Sequence, residues 1–121
     1  MKNILRKPGL LGLALILSIT LALMSAYIER VGPEKASYGN LCGPTGSDQC
    51  YKPVLKGGFP FPFLFDTPGV SVERQLSFGE DKLRVDALVA NIAVYCGLLI
   101  LMVWLLRNAA GRFAQAVASD E

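Results

Sequence analysis

The chain contains no histidine, a single tryptophan and only three cysteines among its 121 residues. Without histidine it lacks the commonest general base and the commonest metal ligand. Only two of the thiols lie close together, too few for a thiolate metal site. Charge is also scarce, at 18% of residues with a formal net charge of +2, and no basic patch with interleaved aromatics suggests nucleic-acid binding. No glycine-rich phosphate loop follows a strand, no serine or cysteine has an evident base, and no carboxylate pair has a setting that would tune its pKa. These absences argue against an enzyme, a cofactor and a nucleic-acid partner.

What the chain has in excess is apolar side chains, at 52% of residues. They collect in two runs of twenty residues, Gly9–Ile28 and Ala87–Leu106, neither with a charged side chain. At about 1.5 Å per residue each run makes a helix of roughly 30 Å, the thickness of a bilayer's hydrocarbon core. Neither shows the striping of a buried helix in a soluble fold, so both are read as transmembrane spans. The rival for the first run is a cleavable signal peptide, which would release an envelope protein after cleavage near Ala22 or Ala26. The run is longer than a signal-peptide core, and Leu23-Met24-Ser25-Ala26 gives no clean cleavage site, which favours an uncleaved anchor.

Lys2, Arg6 and Lys7 precede the first span, and Arg107 and Arg112 follow the second, so the positive-inside rule puts both termini in the cytoplasm. The expected organisation is a cytoplasmic segment 1–8, a first span 9–28, an extracytoplasmic loop 29–79, a second helix 80–107 spanning at 87–106, and a cytoplasmic tail 108–121. Cys42 and Cys50, in LCGPTGSDQC, lie in the loop. In an oxidising compartment such as a bacterial periplasm they are expected to form a structural disulfide. Cys96, within the second span, reads as a small apolar residue.

Within the loop, 29–38 reads as a polar exit segment in which Gly32-Pro33 would end any helix continuing out of the membrane. Val70, Val72, Leu76 and Phe78 alternate with polar residues and predict a strand, partnered by 51–55 or 61–65. Ser77 and Glu80 match a capping box and predict a helix start near Glu80. The stretch GGFPFPFLFDTPG places Phe59, Phe61, Phe63 and Phe65 at alternate positions between prolines. A loop of this size cannot easily bury four phenylalanines, so some rings are expected in its core and others at a lipid or partner surface.

Small residues recur on the first span at Ala14, Ser18, Ala22 and Ala26, and on the second at Ala90, Ala93 and Gly97. Close packing favours small residues between spans, with Ser18 expected near Gly97 and Ala22 near Ala93. Asn91 and Tyr95 are the intramembrane polar groups, read as interhelical glue with Ser25 and Thr20 within reach. The fold expected is a two-span helical hairpin with a small, disulfide-stapled, partly β extracytoplasmic loop. In architecture alone this resembles small two-span proteins of the bacterial inner membrane. The function it suggests is an accessory or scaffold subunit whose Phe/Pro loop meets another membrane protein or the bilayer surface. The alternative is a homo-oligomeric pore or small transporter, which would need a polar stripe along one helix.

Overall fold

The computed structural model describes residues 6–67 and 75–119, without the side chains of 38–42 and 49. Helix α1, Pro8–Met24, ends in a 3-10 turn, Ser25–Tyr27. Four strands follow: β1 (Glu29–Cys42), β2 (Asp48–Gly57), β3 (Leu64–Phe65) and β4 (Lys82–Leu83). Helix α2 then runs 35 residues from Val85 to Ser119. Two helices long and apolar enough to cross a membrane thus flank a small antiparallel sheet of order β1-β2-β3-β4. Only 22% and 6% of their most apolar windows are buried, whereas a soluble core helix would be mostly covered.

The chain divides into two compact units, Ala22–Asn91 and the helix segments on either side of it. In the helical unit, Leu10, Ala14 and Leu17 of α1 and Leu99, Ile100 and Val103 of α2 line one apolar crevice of about 90 Å³. Most other apolar side chains there are exposed, among them Leu13, Ile16, Leu98 and Leu105. In a lipid solvent that is no penalty.

In the sheet unit, β1 and β2 make the long ladder, from Glu29 opposite Gly57 to Cys42 opposite Asp48. The polar exit segment expected at 29–38 is therefore a strand. Its pattern was hidden because its ladder is interrupted between Val31 and Lys35, where Gly32 (φ +64°) and Pro33 sit, and again between Ser37 and Leu41. An irregularity is where a strand tolerates proline and a left-handed glycine. Strand β2 contains the predicted 51–55 segment.

The strand expected from Val70 to Phe78 is corrected over its described part: Gln75–Ser77 carry no regular structure, Phe78 opens a turn, and Val70 and Val72 lie outside the described residues. The alternation there serves packing. Leu76 rests on the core of Ala26, Phe63 and Leu64, joined by Ala87 and Leu88, and the Phe78 ring lies 6.4 Å from that of Phe63.

Helix α2 starts at Val85, five residues later than expected, and Glu80 lies in the turn before it. Asp81 organises that turn: its carboxylate accepts from the Ser77 N–H (2.7 Å) and the Thr67 N–H (3.0 Å). Asp81 is buried, and hydrogen bonds to a charged acceptor are the stronger kind. The helix does not end with the second apolar run but continues through Arg107 and Arg112 to Ser119.

Candidate functional site: the Phe/Pro loop and its clamp

The closing pair Gly57–Leu64 of β2 and β3 leaves residues 58–63 as a six-residue connection. Two glycines make its entry feasible. A methyl group at Gly57 would collide with the Ala26 carbonyl, and Gly58 has φ +118° with Phe63 packed against it. Pro60 and Pro62 fix φ and remove two backbone donors.

Each remaining backbone N–H in the connection finds a partner. Gly58 donates to the Ile28 carbonyl (3.4 Å), and Phe63 donates to the Gly57 carbonyl (3.0 Å). Phe59 donates to Ser25 Oγ (3.2 Å), whose own hydroxyl donates to the Ala22 carbonyl (2.6 Å). The side-chain amide of Asn91, fully buried, grips Phe61 at both ends: Phe61 N–H donates to Oδ1 (3.0 Å) and Nδ2 donates to the Phe61 carbonyl (2.7 Å). Arg30, from β1, donates to the Gly58 carbonyl (2.8 Å) and the Pro60 carbonyl (3.2 Å), and its guanidinium carbon lies 5.9 Å from the centre of the Phe59 ring.

The four phenylalanines divide. Phe63 is completely buried and Phe65 half-buried, while Phe59 and Phe61 each keep 49% of their surface exposed. A clamp of three side chains, Ser25, Arg30 and Asn91, therefore holds the backbone that carries two exposed aromatic rings.

The small-residue face of α1 is its covered one. Ser18, Ala22 and Ala26 are buried and Ala14 half-buried. On α2 the expected pairing is corrected: Ala93 and Gly97 are exposed, with nothing within 4 Å of where a Gly97 Cβ would stand, and only Ala90 is half-buried. The half-buried side of α2 instead carries Tyr95, Cys96, Leu99 and Ile100. Asn91 is likewise not paired with Ser25 or Thr20. Both Ser18 and Thr20 hydroxyls donate to their own helix, at the Ala14 (2.6 Å) and Ile16 (2.9 Å) carbonyls. Tyr95 is half-buried one turn along from Asn91.

Beside the clamp, Lys56 is 8% exposed and its ammonium meets the Glu34 carboxylate at 2.7 Å. That hydrogen bond holds the Glu34 carboxyl below its usual range. Arg84 and Asp86 pair at the start of α2 (2.6 Å). Glu34, Phe65 and Arg84 border two adjoining grooves, of about 280 and 420 Å³. Among the described residues no three His, Cys, Asp or Glu side chains are grouped to hold a metal ion.

The ladder sets Cys42 opposite Asp48, two residues before Cys50, and Cys50 is buried. The Cys42 side chain lies outside those described, so the expected bridge is not shown. Arg30 escaped sequence reasoning because it acts on backbone atoms distant in the chain. The Gly57-Gly58 pair was the one local signal, marking a point where backbone must approach backbone. Comparison with protein-family models, curated proteins and solved structures finds no match.

Proposed function

We propose that this chain is a two-span accessory or scaffold subunit of a bacterial inner membrane, with both termini cytoplasmic and residues 29–84 outside, recognising another membrane protein or the bilayer surface through its Phe/Pro loop. The observation that carries the reading is the clamp: Asn91, Ser25 and Arg30 fix the loop backbone while Phe59 and Phe61 stay exposed. Aromatic rings on a prefixed backbone bind at low ordering cost, the pattern expected of a recognition element. The balanced loop, with seven Lys/Arg against eight Asp/Glu between Glu29 and Asp86, and the basic ends agree with this orientation. A Cys42–Cys50 disulfide belongs to the same proposal and would restrain the far end of the β1–β2 ladder.

Affinity purification of the tagged full chain in mild detergent, with crosslinking before extraction, tests the subunit role. A specific co-purifying membrane protein, lost in a Phe59→Ser/Phe61→Ser variant, is expected; a chain that crosslinks to nothing at native expression overturns it. Impermeant thiol labelling of intact cells, using single cysteines at Ser47 and Ser119 in turn, tests the topology and should mark only the first. Alkylation without reductant followed by intact mass tests the bridge, which predicts that Cys42 and Cys50 stay unmodified.

A further inference from the structure

We propose that residues 58–63 form a lipid-inserted wedge, with the Phe59 and Phe61 rings in the acyl–headgroup boundary of the outer leaflet; this rests on the two-span reading above. The first argument is depth. Phe59 is tied to Ser25 and Phe61 to Asn91, and both anchors lie inside the uncharged runs. Asn91 stands five residues beyond Asp86, the last charge before the second run, which is roughly 7–8 Å of helix. The loop backbone is thereby tied to a residue in each uncharged run.

The second argument is backbone satisfaction. A loop bathed in water has no need to pair its amides internally, but irregular backbone at membrane depth must. From Gly58 to Phe63 every N–H is either bonded within the protein or removed by proline, and the carbonyls of Gly58, Pro60, Phe61 and Phe63 accept from Arg30, Asn91 and the Arg84 N–H. The N–H groups of the loop are thus internally paired while the Phe59 and Phe61 rings stay exposed, the reverse of an aqueous loop.

The third argument is continuity. Met24, Ile28 and Val89, in the same compact unit, are 60%, 48% and 57% exposed. They add to the exposed apolar surface that Phe59 and Phe61 give this unit. The Arg30 guanidinium, which caps the Gly58 and Pro60 carbonyls, also lies 5.9 Å from the centre of the Phe59 ring.

The test uses the chain's single tryptophan, Trp104, as an internal standard. The full chain is reconstituted in phosphatidylcholine vesicles containing lipid brominated either near the headgroup or near the chain terminus. Quenching of Trp104 in the unaltered protein reports whether the second helix spans; its failure under both lipids sinks the two-span reading itself. In a Trp104→Phe background, Phe61→Trp is expected to emit in the blue and to lose most of its intensity to headgroup-proximal bromine, less to terminal bromine and little to aqueous iodide. Phe59→Trp, at an equally exposed position, should behave alike and guards against a fold-specific failure. If Trp104 is quenched by lipid but both reporters are quenched by iodide alone, the loop stands in water. If neither quencher reaches them, a second copy of the chain covers the rings. Either result overturns the wedge and leaves the spans intact.

Discussion

Replacing Asn91 by leucine removes the two hydrogen bonds that hold Phe61 and leaves its N–H and carbonyl facing an apolar side chain. Each unpaired buried backbone group costs about 1–3 kcal/mol, so the pair sets an upper range near 6 kcal/mol. Hydrogen bonds between membrane helices average nearer 0.6 kcal/mol, because the altered state finds new partners. Here replacements are few, since Pro60 and Pro62 offer no N–H and Arg30 is already engaged with neighbouring carbonyls. We therefore expect a local loss of about 2–4 kcal/mol. Hydrogen exchange in nanodiscs reads this directly, because Phe61 has the only amide N–H among residues 60–62. At one decade per 1.4 kcal/mol its exchange should accelerate about 30- to 900-fold. Asn91→Asp sharpens the test. As a carboxylate it can accept from the Phe61 N–H but presents a lone pair to the Phe61 carbonyl; protonated, it regains the missing donor. Protection should be weak while the aspartate is ionised and recover where it is protonated, after correction for intrinsic exchange. Unchanged protection in Asn91→Leu would refute the reasoning.

Phe63→Ala should destabilise the sheet unit by about 3–5 kcal/mol in detergent melting, whereas Phe59→Ala should cost about 0.5–1 kcal/mol, the worth of its Arg30 contact. Equal effects would contradict the division of the rings between core and surface. Gly57→Ala should lose about 1–3 kcal/mol because the Ala26 backbone must shift, while Gly97→Ala, with open space around it, should stay within about 0.5 kcal/mol of the parent. Because Lys56 depresses the Glu34 pKa on folding, the pair's contribution is present above the ordinary glutamate value and disappears as pH falls through the lowered one. Melting temperature measured between pH 6 and 3 should therefore fall at the acid end, less so in Glu34→Gln; identical acid slopes would exclude the pair as a contributor.

The helices were legible because twenty uncharged residues in succession form a signal that tertiary context rarely overrides. The outward-facing phenylalanines were also legible in outline, since the loop is too small to cover all four rings. Strand β1 was not. Its residues Glu29, Arg30, Glu34 and Lys35 lie on an edge strand with water on one side, and Gly32-Pro33 reads as a terminator unless the irregularity in the ladder is known. Leu76 and Phe78 imitated a strand because core packing alone spaced them two apart. The helix–helix pairing failed for a different reason. Asn91 bonds to a loop thirty positions away, and small-residue spacing carries no trace either of that bond or of the exposure of Ala93 and Gly97.

Helix α2 has 35 residues where about 20 suffice to cross a bilayer. The surplus from Asn108 to Ser119 is roughly 18 Å of rod, beginning just after Arg107 and bearing Arg112, Phe113 and Val117. Its side chains are all solvent-open. If the second run spans a bilayer, this surplus offers a neighbour a continuous helical rod on which a cation and two apolar contacts are carried at set spacings.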